Sequence, residues 1–371
     1  MTRFIKNSVL RFFCVFFSVF CRLNRKKIFF RAYNGLRYAC NPRAISEKMH
    51  ELAPDMEIVW SLNEPEKATD VPDYVRVVKK KSLAEYKELF TSKFWVLNAG
   101  LMVPCKRKGQ FYMDTWHGDR AFKNVDMTSD GSSLLSEAYK RADVILSGSD
   151  YGDEIIRRSL NPNAEILRCG TPRNDMFFHD NSLIAESVRK ALDLGRFEKI
   201  LTYAPTFRGN GKAAGLLDFS FLADELEKRD GKKWGILIRQ HHKVKMQPDW
   251  KADSRIVDAS KYPEMQDLLL VSDMVISDYS SLVGDYVLLN RPVVLYVPDL
   301  DDYKSSRGLN FDIEKSPFRY AKNAKDLFQT ILDFKESDAP ENCRQILDFY
   351  GHVCENGTAS EQACKWILDR V

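Results

Sequence analysis

From residue 28 onward the chain alternates short apolar, β-branched runs with longer stretches whose apolar positions recur every three to four residues. The runs at residues 28–31, 57–62, 75–78, 94–98, 110–115, 144–147 and 165–168 have the length and composition of buried strands, and the stretches at 43–52, 82–91 and 132–141 have helical spacing. A polar helical link at 180–198 leads to a second alternating set at 200–204, 219–229, 234–239, 256–258, 265–272, 274–276 and 293–297. Helices at 324–334 and 341–369 close the chain. Strands alternating with helices predict a doubly wound, parallel α/β sheet. Two such sets in 371 residues predict two domains, 29–180 and 181–371.

Residues 273–303 show the pattern most fully. Met274-Val275-Ile276 reads as a strand, and Ser277, Asp278, Ser280 and Ser281 crowd the turn after it. Val283, Tyr286, Val287 and Asn290 recur at helical spacing, and Arg291-Pro292 stops that helix before the next strand. In such a βαβ unit the helix N-terminus, with free N–H groups and the positive dipole end, is a ready anion site. Ser280 and Ser281 would add hydroxyl donors there, or serve simply as caps.

Residues 1–28 differ from the rest. Val9 to Phe20 is apolar and aromatic, interrupted by Arg11 and Ser18 and bracketed by Arg3, Lys6, Arg22, Arg25, Lys26 and Lys27. A bilayer span needs roughly 20 apolar residues, more than this run supplies. No small-residue cleavage site follows it. Aromatics beside a basic cluster predict a helix lying in the headgroup region of an anionic cytoplasmic leaflet, with packing on its own domain as the alternative. The net charge of +4 implies no nucleic-acid partner. Eight cysteines without a C-x-x-C pair or Cys/His metal spacing read as apolar fillers in a reducing cytosol, and no metal is expected.

Candidate chemistry gathers at predicted strand ends, the edge that faces the ligand crevice in an open parallel sheet. Trp116-His117-Gly118 offers a histidine able to act as general base, with a glycine beside it that lets backbone approach a ligand. Tyr203-Ala204-Pro205-Thr206-Phe207-Arg208 supplies Thr206 and Arg208 for phosphate contacts, since a guanidinium can grip phosphate in bidentate fashion. Arg239-Gln240-His241-His242-Lys243 crowds cations at another end, and Gly170-Thr171-Pro172-Arg173-Asn174-Asp175 and Arg307-Gly308 add Arg173 and Arg307. Each signal alone is weak, and a buried structural histidine or a solvated loop would serve as well. Together they suit a nucleoside diphosphate held between two halves. Neither G-x-x-x-x-G-K-[ST] nor G-x-G-x-x-G occurs, and Asp299-Leu300-Asp301-Asp302 is the nearest approach to a metal-holding D-x-D.

The ordered set Trp116-His117-Gly118, Gly170 to Asp175, Tyr203 to Arg208, Arg239-Gln240-His241, Ser277-Asp278-Tyr279-Ser280-Ser281, Asp285, Asp299 to Tyr303 and Arg307-Gly308 resembles the CDP-glycerol glycerophosphotransferases, the teichoic-acid primases, polymerases and related capsule enzymes. The resemblance implies a GT-B-like fold: two Rossmann-like parallel-sheet domains facing a cleft, with an N-terminal membrane-associated helix. It implies an acceptor domain at 29–180 and a CDP-donor domain at 181–371, on the cytoplasmic face of the membrane. The reaction implied is transfer of glycerol phosphate, or a related polyol phosphate, from a CDP-activated donor to a hydroxyl of a lipid-linked glycan or growing polymer, with CMP released and no cofactor. His117 would be the base and His241 would stand beside the donor phosphates. Gly118, Thr206, Arg208, Arg239, Ser280, Ser281, Asp285 and Arg307 would bind the donor, Asp285 near its ribose. The family's usual T-P-L-K-K after W-H-G is here Asp119-Arg120-Ala121-Phe122-Lys123, keeping one lysine, and His242 stands where proline is common. A GT-B glycosyltransferase using a nucleotide sugar is the alternative, and a fold-retaining scaffold without activity a third reading.

Overall fold

The β-branched runs form strands and the spaced stretches form helices, in a computed structural model that describes residues 3–101, 105–125, 138–206, 208, 217–240, 250 and 252–371. Their contacts divide the chain into two units. Among the described residues, the first takes the chain up to Asp119, residues 138–178 and Val353–Val371; the second takes residues 120–125 and His179–His352.

In the first unit α1 (Arg3–Phe20) precedes β1 (Asn24–Arg31), α2 (Cys40–Leu52), β2 (Glu57–Leu62), β3 (Arg76–Lys79), α3 (Leu83–Thr91), β4 (Ser92–Leu97), β5 (Phe111–Asp114), β6 (Val144–Ser147), α4 (Asp150–Ile155) and β7 (Glu165–Arg168). The strands form one sheet in the order β3-β2-β1-β4-β5-β6-β7, with every pairing parallel. Successive side chains of a strand point to opposite faces. Ile28 and Phe30 of β1 therefore join Trp60, Val96 and, from α2, Ile45 and Met49 in one core. On the other face Lys27 and Arg31 reach Glu88 and Glu85 of α3 at 2.8 and 3.3 Å, and all four side chains are buried.

Helix α1 packs on α3, with Leu10, Cys14 and Phe17 buried and Phe13 stacked on Tyr86 at 4.7 Å. Its other face leaves Phe12, Val15, Val19 and Phe20 at 62–71% exposure. Because β1 begins at Asn24, the terminal segment expected over 1–28 stops short of that boundary. Lys26 and Lys27, read as flanking charges, are strand residues paired with Asp55 and Glu88. No described helix is long and apolar enough to cross a membrane.

The second unit holds α5 (Ser182–Ala191), β8 (Lys199–Tyr203), α6 (Phe219–Asp230), β9 (Trp234–Ile238), β10 (Ile256–Asp258), α7 (Met265–Val271), β11 (Met274–Ser277), α8 (Leu282–Tyr286), β12 (Val293–Tyr296), α9 (Leu300–Arg307), β13 (Tyr320–Ala321), α10 (Ala324–Asp333) and α11 (Ala339–Phe349). Its sheet is also parallel, in the order β10-β9-β8-β11-β12-β13. Leu201, Tyr203 and Ile236 meet Leu222 and Leu226 of α6 and Leu327 and Ile331 of α10 on one face. Ile200 and Leu237 meet Val188 of α5 and Leu268 of α7 on the other.

The chain passes to the second unit at Phe178, beside the expected division at residue 180, but residues 120–125 fall in the second unit and the chain's last stretch in the first, both against expectation. The helical stretch expected over 341–369 is two helices, α11 and α12 (Ala359–Leu368), and α12 belongs to the first unit. Ala359, Ala363, Cys364, Trp366 and Ile367 bury in the core of the first sheet. Asp175 caps this helix, accepting from the Ala359 and Ser360 amides at 2.9 and 2.7 Å. Periodicity predicts a helix with one apolar face; it does not say which sheet receives that face. Most of the helix expected over 132–141 lies outside the described residues.

A buried carboxyl ends β5. Asp114 is wholly buried and accepts from the Gly100 and Trp116 amides at 3.0 and 2.8 Å and from the Tyr112 hydroxyl. Burial raises its pKa from 3.8 to about 7, although these hydrogen bonds and Arg31 favour the ionised form. A carboxyl whose pKa is higher folded than unfolded holds more protons in the folded state between those two values, so its contribution to stability falls as pH rises through them. Wild type should therefore lose stability relative to Asp114→Asn as pH rises from about 4 to about 7, with a constant difference above that, in urea titrations across the range. A difference that does not change with pH would mean that Asp114 ionises in the fold as it does in water.

Candidate active site

In a parallel sheet the crevice lies beyond the carboxyl ends of the strands, where the strand order reverses. In the first unit the reversal falls between β1 and β4, and in the second between β8 and β11.

At the end of β5, Trp116 takes a left-handed conformation with φ +45°, and the chain turns. The Asp114 carboxylate holds the Trp116 amide, and the Asn41 amide group donates to the Thr115 and Trp116 carbonyls at 3.0 Å each. Asn41 Oδ1 also accepts from the Arg173 amide at 3.1 Å, which ties the Gly170–Asp175 motif to the same turn. His117, set by this turn, donates from Nδ1 to the main-chain carbonyl of Asn98 at 2.5 Å. A carbonyl can only accept, so Nδ1 carries the proton and the basic lone pair lies on Nε2. The Tyr33 ring stands edge-on to the imidazole at 5.5 Å between centroids. Gly118 is buried, but it is Trp116 that makes the left-handed turn. Asp119 accepts from the Gly148 amide at 2.9 Å and the Ser149 hydroxyl at 3.0 Å. The Gly170–Asp175 motif works structurally too: the Thr171 amide donates to Glu355 at 3.0 Å, and Asp175 caps α12.

At the reversal of the second unit, Asp278 is the centre. Its buried carboxylate accepts from the Thr206 amide at 2.9 and 3.0 Å, from its neighbour Tyr279 at 2.6 Å, and from Arg208 at 2.8 Å. Arg208 also grips Asp299 with two parallel bonds of 2.7 and 3.0 Å and the Thr206 carbonyl at 2.7 Å. Its guanidinium lies over Tyr279 and Tyr303, which stack at 3.7 Å. Burial opposes ionisation of Asp299, but the Arg208 charge outweighs it and holds the carboxyl below its usual range. Arg208 thus braces the turn with donors that the sequence assigns to a phosphate. Thr206 keeps capacity in reserve: its hydroxyl is buried without a hydrogen-bond partner among the described residues.

Ser280 and Ser281 follow, both half-buried. Ser281 makes no side-chain cap bond, so capping does not account for it. Helix α8 is short and passes into a tight turn at Val287–Leu289, so any anion here would rest on hydroxyls and loop amides more than on a helix dipole. Asp285, expected near the donor ribose, is instead buried: it accepts from Arg120 and Gln266, each at 3.1 Å. The Arg120 side chain lies across Gly284, where a Cβ would come within 2.7 Å of it. This internal pair supports the serine turn from behind.

Arg239 sends its guanidinium to the Tyr262 and Pro263 carbonyls. Beside it Gln240 is buried, with neither end of its amide hydrogen-bonded among the described residues. His241 lies outside the described residues. Arg307 is exposed at the end of α9. Lys123 comes to this neighbourhood by an antiparallel bridge to Leu309, and the Asn310 side chain donates to the Ala121 and Lys123 carbonyls at 3.0 and 2.8 Å. The surrounding protein depresses the pKa of Lys123, Arg307 and Arg208 add to this, and Asp278 opposes it. Lys123, Asn41, Asn98 and Asp299 are the residues that motif reading underrates. Their sequence signals are faint: a lysine retained after W-H-G, an Asn-Pro step, a strand end and an acidic run.

Comparison with known proteins gives this arrangement its context. The chain is 30% identical over 370 residues to the teichoic acid poly(glycerol phosphate) polymerase of Bacillus subtilis (strain 168), with 93% of this chain and 49% of that protein covered, so it spans about half of that relative. It is 29% identical to the protein of the same description from Bacillus spizizenii (strain ATCC 23059 / NRRL B-14472 / W23), with 98% of each covered. A structure of the wall teichoic acid polymerase TagF superposes with a TM-score of 0.83 at 27% identity, over 99% of this chain and 96% of that one. The model of the CDP-glycerol:poly(glycerophosphate) glycerophosphotransferases matches residues 13–369, and with nearly the whole chain matched this protein belongs to that family of transferases.

Proposed function

We propose that this protein transfers glycerol phosphate from CDP-glycerol to a hydroxyl of a poly(glycerol phosphate) chain or its lipid-linked glycan primer. The observation that carries the reading is His117, with Nδ1 committed to a carbonyl, in a chain whose family reaction needs a base for an alcohol. Nε2 takes the proton of the acceptor hydroxyl as that oxygen attacks the phosphorus bearing glycerol. The bond from that phosphorus to the bridging oxygen breaks, and CMP leaves with the electron pair. Catalysis of phosphoryl transfer rests on positioning and on neutralising charge over the phosphate oxygens. In the second unit the Thr206 hydroxyl, Ser280, Ser281, Lys123 and Arg307 are the groups for that task, with His241 expected beside the same phosphates. Arg208 and Asp285 act behind them, holding the turns.

The exposed apolar face of α1 supports attachment to the cytoplasmic membrane surface, where a lipid-linked acceptor would be met. Phe12, Phe13, Phe16 and Phe17 with Leu83 line an open apolar groove of about 380 Å³ between α1 and α3.

CMP release, with product mass measured, tests the reaction when CDP-glycerol, CDP-ribitol, UDP-sugars and GDP-sugars are offered with a membrane lipid extract. CMP from CDP-glycerol and an added glycerol-phosphate mass are expected; turnover of a nucleotide sugar alone would make the protein a glycosyltransferase. His117→Ala should lower turnover about 100-fold or more while leaving CDP-glycerol affinity nearly unchanged. Near-normal turnover would remove His117 from the chemistry. For the membrane, Phe12→Asp with Val19→Asp should abolish sedimentation with anionic vesicles and leave the melting temperature almost unaltered, since both side chains are exposed. Deleting residues 1–28 is the poorer test, because it would remove Asn24–Ile28, more than half of β1.

A further inference from the structure

At the reversal between β1 and β4 the chain makes a strained turn. Tyr33, Asn34 and Gly35 have φ of +46°, +58° and +88°, values that strain a non-glycine residue. Neighbours overdetermine the turn. The Tyr33 amide donates to Asn98 Oδ1 at 2.7 Å, the Asn63 amide donates to the Gly35 carbonyl at 2.7 Å, and Lys80 Nζ donates to the Asn34 carbonyl. The strain leaves Tyr33 37% exposed while its ring abuts His117. Asn98 thus serves His117 through its carbonyl and Tyr33 through its side chain. Its remaining group, Nδ2, is buried without a hydrogen-bond partner.

The same edge is basic further along. Lys79 ends β3, Lys80 and Lys81 follow, and Lys79 and Lys81 are exposed. The loop between β2 and β3 also carries four acids, Glu64, Glu66, Asp70 and Asp73, and Glu64 is paired with Lys67 at 2.6 Å. Strands in a sheet are about 4.8 Å apart, so from β3 through β2, β1 and β4 to β5 this edge spans about 19 Å.

We propose that the carboxyl edge of the first sheet, from Lys79–Lys81 to Tyr33, is the track for the acceptor chain, an anionic polyol-phosphate polymer. The terminal polyol lies with its C–H groups on the Tyr33 ring beside His117, and the preceding phosphates lie along the lysines. This rests on the glycerophosphotransferase reading and assigns residues to its second substrate. The track is longer than one repeat unit, so a short oligomer should bind more tightly than free glycerol phosphate.

Titration calorimetry of full-length protein with a short oligo(glycerol phosphate) tests it, beside polyphosphate of equal charge. Tyr33→Phe should bind the oligomer as wild type does, and Tyr33→Ala about 10-fold more weakly, with polyphosphate binding unchanged. Lys79→Ala/Lys81→Ala should weaken both anions and flatten their salt dependence. CDP-glycerol affinity should be unaltered throughout. If Tyr33→Ala does not fold, Tyr33→Gly removes the ring and suits the left-handed backbone. No oligomer binding by wild type, or wild-type affinity in both the Tyr33→Ala and the double-lysine variants, would overturn the track. CMP release from CDP-glycerol by wild type is read separately, so failure of the transferase reading is distinguishable from failure of the track.

Discussion

Backbone N–H groups at a buried strand end have lost their ladder partners and must find others. This chain meets that demand with a buried carboxylate or carboxamide under each functional turn. Asp114 and Asn41 hold residues 115–117, and Asp278 holds Thr206 and Tyr279. Asp285 with Arg120 and Gln266 underlies the serine turn. The side chains facing the crevice are therefore set by groups that never reach it. Removing one such acceptor would leave several donors buried and unpaired, a heavier loss than the one or two contacts its position suggests.

The same economy explains why charge is a poor guide to role here. From the sequence, Arg208 and Asp285 look alike: charged residues in or just after a motif assigned to the donor. In the fold Arg208 spends its donors on Asp278, Asp299 and a carbonyl, and Asp285 spends its oxygens on Arg120 and Gln266. A buried charge needs a partner, and a partner found within the chain is no longer offered to a ligand. Spacing along a sequence does not reveal such pairs, because Arg120 and Asp285 lie 165 positions apart. Hydroxyls carry less desolvation cost, so Thr206 can stand unpaired where a charge could not.

The architecture itself was largely legible. Strands covered on both faces read as unbroken apolar runs, and those runs, with helices between them, gave the strands of both sheets to within a few residues except β13, a two-residue strand that carries no such run. Three further features were not. The start of β1 was hidden because Asn24-Arg25-Lys26-Lys27 is wholly polar, and Lys27 is buried by pairing with Glu88 of α3. The one-turn length of α8 was hidden because the apolar spacing continues through the tight turn that follows. The destination of α12 was hidden because an amphipathic helix fits either sheet. Of the candidate site, motif reading found the turns, and the structure sorted the residues facing outward from those that brace them.

The placement of α12 bears on how the protein is made. Its side chains complete a core begun by β1, more than 300 positions earlier in the chain. On the ribosome the first sheet therefore emerges long before the helix that covers it, and the whole second unit is synthesised in between. Until α12 leaves the exit tunnel, Ile28, Phe30 and Trp60 lack part of their cover, and the nascent chain offers chaperones an apolar surface. Closing a core across so long a loop makes a slow step, and it ties maturation of the first unit to synthesis of the second.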